Sequence, residues 1–179
     1  MTPSLIAITR AVSPTIVNCQ LTHLARDPID VERAHAQHEE YERALERLGC
    51  SVTRLAAGAE MPDCVFIEDT AIVLDEIAVV TRPGAASRRP ETPDVAKALS
   101  RHRPIKQVVA PGTLDGGDVL VVGRTIFVGR TSRTNDAGIG QLRLAVASHG
   151  YTVVPASVRG WLHLKSAVTV LDGGSLLHN

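Results

Sequence analysis

Aromatic side chains are nearly missing from this 179-residue chain, which has one Trp, two Tyr and two Phe. So sparse a set builds no base-stacking platform for single-stranded nucleic acid. A charge excess is missing too: 19 Lys and Arg face 19 Asp and Glu, for a formal net charge of zero. Nucleic-acid surfaces ordinarily carry a basic excess, so no nucleic-acid partner is expected. Cysteine is scarce. Cys19, Cys50 and Cys64 form no C-x-x-C pair, and three thiols build no disulfide framework. No run approaches the roughly 18 apolar residues of a membrane span. The first 17 residues lack a basic start, and their apolar run is broken by Arg10 and Pro14, so they are no secretory signal. These absences predict a soluble, reduced, cytoplasmic protein with no membrane partner.

What is present suits a globular α/β domain. Apolar residues make up 44% and charged residues 21%, enough for a core, and the length predicts one domain over 1–179. Residues 4–12 read as a strand. Asp30 caps a predicted helix that runs to 48 and stops at Gly49. Val31, Ala34, His38, Tyr41, Leu45 and Leu48 lie on one face of it. Strands are predicted at 51–55, 64–67, 71–74 and 77–81, the last two joined at Asp75-Glu76 and closed by Pro83-Gly84. A helix over 93–100 and a strand over 105–110 follow. Residues 118–122 and 125–128 form a hairpin about Gly123-Arg124. Thr134 or Asn135 caps a third helix bearing Ile139, Leu142, Val146 and His149 and ended by Gly150. A strand at 151–154 and a hairpin about Asp172-Gly173-Gly174 complete the chain.

These elements repeat. Glu68 to Asp115 is 47 residues, Asp115 to His163 is 48, and Arg82 to Arg130 is again 48. Self-similarity at that period signals a propeller-like array. Repeat units fall at about 30–90, 91–133 and 134–179, with an N-terminal strand belonging to another. Three units do not close a ring, so an incomplete domain is expected, with a complete open α/β sandwich as the competing architecture. In a circular array the equivalent loops around Glu68, Asp115 and His163 meet at one axis.

Taken singly, Asp63, Glu68, Asp69, Asp115 and Asp118 are turn residues or solvated ions. Their recurrence at one repeat position is what points to a cation-binding site, with carboxylate–guanidinium pairing as its strongest common form. Clustered oxygens also suit hard cations, but no EF-hand or H-E-x-x-H pattern exists, and His38 reads as a core-edge histidine with His35 its solvated neighbour. No metal and no cofactor are expected. His163, in register with the acidic loops, is a candidate acid–base group. Arg88 and Arg133 each follow a hairpin and are candidates to clamp an anionic group.

The motifs Met61-Pro62-Asp63-Cys64-Val65-Phe66-Ile67-Glu68-Asp69, Thr81-Arg82-Pro83-Gly84-Ala85, Thr113-Leu114-Asp115-Gly116-Gly117-Asp118-Val119, Arg133-Thr134-Asn135 and Leu162-His163-Leu164-Lys165-Ser166 occur in that order. Together they resemble the dimethylarginine dimethylaminohydrolase (dimethylargininase) family of the guanidine-modifying superfamily. The resemblance covers nearly the whole chain. It implies a five-bladed α/β propeller, the pentein fold, of ββαβ units. It implies that Asp63, Glu68 and Asp69 bind substrate, Glu68 and Asp69 at the guanidinium. Arg88 and Arg133 would hold the amino-acid end, and Leu21 would match a lid-loop leucine. Asp115 would partner His163 and touch the guanidinium, with His163 as general acid and base.

The implied partner is a small cationic amino acid, a methylated arginine, hydrolysed to citrulline through a covalent thiouronium. The family's nucleophile is a cysteine near the end of a longer chain. Cys19, Cys50 and Cys64 stand outside its motif, so the nucleophile is expected beyond residue 179 and the chain alone is expected to be inactive. An arginine deiminase and a non-catalytic guanidine-binding remnant are the alternatives.

Overall fold

The structure, a computed structural model, describes residues 5–22, 25–171 and 174–178. They form two compact units, 1–67 and 68–179.

In the first unit, strand β1 (Ile6–Arg10) pairs in parallel with β2 (Ser51–Leu55), Ile8 opposite Thr53. Helix α1 (Val31–Arg47) connects them. It starts where expected, because the Asp30 carboxylate accepts from the Arg33 N–H at 3.0 Å and so satisfies one of the helix's orphan donors. It stops where Gly49 takes φ 88°, a left-handed conformation that costs glycine little. Val31, Ala34, His38 and Leu45 of the expected stripe are half-buried, but two of its members are not, and an acid takes the buried place. Tyr41 is 55% and Leu48 78% exposed, whereas Glu42 is 5% exposed. A polar knot accounts for this. Glu42 accepts from the Thr9 hydroxyl of β1 at 2.6 Å and from Arg54 Nε of β2 at 2.7 Å, with His38 Nε2 at 3.2 Å. The Arg54 ion pair and the Thr9 hydrogen bond offset the cost of burying its charge. The strand expected at 64–67 is absent. Turns occupy that stretch, with Cys64 N–H donating to Met61 O and Phe66 N–H to Asp63 O, and a 3-10 turn follows at Ile67–Thr70.

In the second unit one pattern occurs twice. Strands β3 (Ala71–Val73) and β4 (Ala78–Val80) form an antiparallel hairpin, helix α2 (Thr92–Leu99) crosses over, and β5 (Ile105–Gln107) returns parallel to β4. Strands β6 (Val119–Val122) and β7 (Thr125–Arg130), helix α3 (Asp136–Val146) and β8 (Thr152–Ser157) do the same. The offset between equivalent strands is the 48-residue period read from the sequence: Val80 and Val128 share a place in the two central strands. Asn135 caps α3, accepting from Gly138 N–H at 2.8 Å. Gly123 turns the second hairpin at φ 57°.

A one-turn helix α4 (Leu164–Ala167) leads into the antiparallel pair β9 (Val168–Val170) and β10 (Leu176–His178). Asp172 and Gly173 of the expected turn lie outside the described residues. The core is made where the central strands meet α3: Val79, Val80, Ile126, Val128, Leu142 and Val146 are all fully buried. Strand β4 is buried at every residue, which is why it reads as a continuous apolar run rather than an alternation. No helix among the described residues is long and apolar enough to cross a membrane.

Candidate active site

The second unit gathers Asp69, Arg88, Glu91, Asp115, Asp118 and His163, all buried, around the loop that precedes β6. Asp69 sits on the 3-10 turn before β3, Asp115 and Asp118 flank Gly116-Gly117, and His163 is the N-cap residue of α4. The two glycines are required. A Cβ on Gly116 would stand 2.0 Å from Glu68 O, and one on Gly117 2.7 Å from Asp69 Oδ1 and 2.8 Å from the His163 ring. Removing the side chains lets the backbone itself become a ligand: Gly117 N–H donates to Asp69 Oδ1 at 2.8 Å. Ordinary turn chemistry in the sequence is therefore a packing requirement in the fold.

Asp69 is the hub. Its Oδ2 accepts from Arg88 Nη1 at 2.5 Å, and its Oδ1 lies 3.8 Å from His163 Nε2. Arg88 also donates to both oxygens of Glu91, at 3.1 and 2.9 Å. Arg88, one of the two arginines expected to clamp a substrate's amino-acid end, thus has its guanidinium fork matched to two buried carboxylates. Burial disfavours its charge, yet Glu91 and Asp69 more than restore it and hold its pKa above the ordinary value. Arg133 is the other expected clamp. Its Nη1 stands 4.0 Å from Asp115 Oδ2.

Asp115 is fully buried. Its Oδ1 accepts from Gly84 N–H at 2.8 Å, while Oδ2 has no hydrogen-bond partner among the described residues. Burial pushes its pKa up to about 6, the Gly84 N–H opposing and the Asp69 charge assisting. His163, expected to pair with Asp115, has a ring nitrogen within 4.8 Å of that carboxylate, and Asp118 Oδ1 stands 3.4 Å from its Nδ1. Burial works against a charged His163, but Asp118, Asp69 and Asp115 together outweigh it and raise the imidazole's pKa.

Glu68 is at the surface, held by Lys165 Nζ at 2.6 Å. In the first unit, Asp63 is buried and accepts from Gln20 N–H at 2.9 Å, and the neighbouring Leu21 is exposed. Cys19 and Cys64 are buried thiols of that unit, and Cys50 is half-buried.

Sequence reasoning missed Glu91, Lys165 and the place of Asp118 beside His163. The Arg88-x-x-Glu91 spacing was a readable signal for an ion pair one helical turn apart. Asp69, Asp115 and His163 each place one ligand-type atom within 4.8 Å of the others. That spacing would admit a metal ion. Asp69, however, is already committed to Arg88 and Gly117, which leaves a cage better suited to a diffuse organic cation. Buried carboxylates outnumber buried cations here, so the pocket favours positive charge.

A buried carboxylate–histidine pocket on repeated ββαβ units is the mark of a guanidine-modifying α/β enzyme, and the comparisons bear on which kind. No family model matches the chain. The N(G),N(G)-dimethylarginine dimethylaminohydrolase of Streptomyces coelicolor is 44% identical over 176 residues, covering 98% of this chain and 68% of that protein. The Pseudomonas aeruginosa enzyme of the same name is 34% identical over 158 residues, or 87% and 61%. A structure of the Pseudomonas aeruginosa enzyme, a cysteine-to-serine mutant complexed with citrulline, superposes with a TM-score of 0.92 at 32% identity, covering 97% of this chain and 69% of that one. A histidine-to-glycine dimethylarginine dimethylaminohydrolase, solved as an adduct with S-methyl-L-thiocitrulline, gives 0.89, also at 32% identity, covering 96% of this chain and 68% of that one. The N-terminal domain of a cyanobacterial arginine dihydrolase, at 19% identity and a TM-score of 0.78, shares the fold. The chain spans about two thirds of the length of the curated relatives it matches, 68% and 61%. It belongs to the dimethylarginine dimethylaminohydrolase family.

Proposed function

We propose that this chain supplies the guanidinium-binding and proton-transfer groups for hydrolysis of Nω-methylated arginines to citrulline and a methylamine. The observation that carries the reading is the buried convergence of Asp69, Asp115 and His163 within 4.8 Å. Asp69 and Asp115 hold the planar cation, with Glu68 as a further acid toward it. Arg133 receives the α-carboxylate. Arg88, held by Asp69 and Glu91, keeps the Asp69 carboxylate aimed at the cation.

The chemistry follows from charge. A guanidinium carbon is a poor electrophile because its charge is delocalised. Carboxylates fix the cation in orientation, and a thiolate attacks the central carbon. The adduct collapses as His163 gives a proton to the leaving dimethylamine and the C–N bond breaks, leaving an S-alkylthiouronium. His163, now neutral, takes a proton from water. The hydroxide adds to the carbon, the C–S bond breaks as the new hydroxyl loses its proton to solvent, and citrulline and thiolate are released. The raised pKa of His163 suits its first task, as an acid. The scheme calls for no cofactor.

The thiolate is not among residues 68–179, which contain no cysteine, and Cys19 and Cys64 are buried. We assign it to a residue outside this sequence. Asymmetric dimethylarginine titrated into the purified chain should bind saturably, bind more weakly after Asp69→Asn, and yield no citrulline above a buffer control. Loss of binding altogether would overturn the guanidinium reading. Citrulline release would overturn the external thiolate.

A further inference from the structure

We propose that Thr131 is the positioning residue of Arg133: its hydroxyl accepts from the Arg133 main chain and donates to the buried Asp118 carboxylate, which fixes the arginine that receives the α-carboxylate on one frame with Asp115. The inference rests on the proposed role of Arg133 and adds what sets its place.

Arg133 stands in the short segment 131–134, between β7 and the N-cap of α3. A segment outside ladder and helix needs other partners for its backbone groups. Arg133 N–H donates to Thr131 Oγ1 at 3.0 Å. The Thr131 hydroxyl donates in turn to Asp118 Oδ2 at 2.7 Å. A hydroxyl has one proton, and with a backbone N–H on its lone pair that proton is directed to the carboxylate. Thr134 repeats the arrangement for Asp115. Its Oγ1 accepts from Asp115 N–H at 3.1 Å and donates to the same Asp118 Oδ2 at 2.6 Å. Leu164 N–H reaches Asp118 Oδ1 at 3.0 Å. Three donors thus converge on one fully buried carboxylate, and the two threonines transmit its position to the main chain.

Gly84 closes the opposite side of Arg133. A Cβ on Gly84 would lie 2.5 Å from both the Cα and the carbonyl oxygen of Arg133, so the two main chains pack with no room for a side chain. Gly84 N–H also donates to Asp115 Oδ1 at 2.8 Å. The contacts form a ring from Asp115 through Thr134, Asp118, Thr131, Arg133 and Gly84 back to Asp115. Across it, Arg133 Nη1 stands 4.0 Å from Asp115 Oδ2, beyond hydrogen-bond reach. A ligand that carries a guanidinium and a carboxylate must meet both residues at once. The guanidinium fork of an arginine rewards alignment, so a main chain fixed beforehand lowers what binding must order. Within the ring Thr131 serves Arg133 and Thr134 serves Asp115, which lets the two be tested apart.

The test is titration calorimetry of the full chain with asymmetric dimethylarginine and with its analogue lacking the α-carboxylate. Thr131→Val keeps the shape of the side chain without its hydroxyl. It should weaken the first ligand by about fivefold, the size of one hydrogen bond, and leave the second within about twofold. Thr131→Ser should restore both. Thr134→Val, which takes the acceptor from Asp115 N–H, should weaken both ligands. With no ligand present, amide hydrogen exchange should show the Arg133 N–H exchanging faster in Thr131→Val than in the unmodified chain. Equal losses for the two ligands in Thr131→Val, no loss, a Thr131→Ser that fails to restore, or an unchanged Arg133 exchange rate overturns the proposal. Arg133→Ala separates the failures. If it costs asymmetric dimethylarginine selectively and Thr131→Val does not, this inference falls and the proposed role of Arg133 stands. If it costs both ligands alike, that role falls and the inference falls with it.

Discussion

Arg88 Nη1 donates to Asp69 Oδ2 at 2.5 Å, and both side chains are buried. The pair ties the 3-10 turn that carries Asp69 to the 3-10 turn Ala86–Glu91 that leads into α2. Its effect is to keep a charged acid inside the protein without a ligand. Asp69 is ready for a cation because a cation already stands behind it.

Arg88→Ala should therefore be a stability variant first. It removes the buried cation that Asp69 and Glu91 share, a class of change that costs about 3–5 kcal/mol. Urea denaturation should show the midpoint falling with little change in slope. Arg88→Ala combined with Glu91→Gln should recover part of the loss, since one of the two charges that shared the cation is then removed.

Asp115 should give the stability curve a recognisable pH dependence. Its folded pKa of about 6 lies above the ordinary 3.8, mainly because it is buried. The folded state therefore holds its proton more tightly than the unfolded state. Its contribution is fully present below about pH 4 and is lost as pH rises through 6, by about 3 kcal/mol over the whole window. Asp115→Asn keeps the acceptor for Gly84 N–H and has no charge to bury. The stability difference between the variant and the unmodified chain, measured at pH 4, 5, 6 and 7, should grow in the variant's favour. A difference that stays flat would show that Asp115 does not titrate in this range.

Glu68 and Asp69 should separate in binding. Asp69→Asn removes a buried counter-charge and should weaken methylarginine binding by about 2–5 kcal/mol. Glu68 is exposed and held by Lys165. That pair must open before Glu68 meets a ligand cation, so Lys165→Met should tighten binding by a few fold, the size of an exposed ion pair at about 0.2–1 kcal/mol. Calorimetry or ligand-observed NMR on the two variants reads both effects. Weakened binding in Lys165→Met would mean that the lysine contacts the ligand itself.

Arg133→Ala should discriminate between ligands. If Arg133 holds the α-carboxylate, the variant loses affinity for asymmetric dimethylarginine but keeps it for the analogue without that carboxylate. Equal losses for the two ligands would remove Arg133 from the clamp role.

Much of this was legible in the chain itself. Asp30 and Gly49 bound α1, Asn135 caps α3, Gly123 turns a hairpin, and the 48-residue period places Val80 and Val128 at the same point of two sheets. These are local decisions, made by capping side chains, by glycine's access to left-handed φ and by runs of apolar residues. The ordered motifs were equally readable and identified the family. Partnerships were not. The helix face that buries Glu42 depends on Thr9 and Arg54, which come from strands on either side of α1 in the chain. That Gly117 lies against Asp69, that Arg88 pairs with Asp69 and Glu91, and that Asp118 stands beside the His163 ring all depend on contacts across 3 to 48 residues. Residue types and spacing determined that acids, arginines and one histidine would recur at one place in the repeat. Which acid meets which cation was decided only by tertiary packing, because an ion pair forms or fails over a single ångström and burial, invisible in the sequence, sets what each charge is worth.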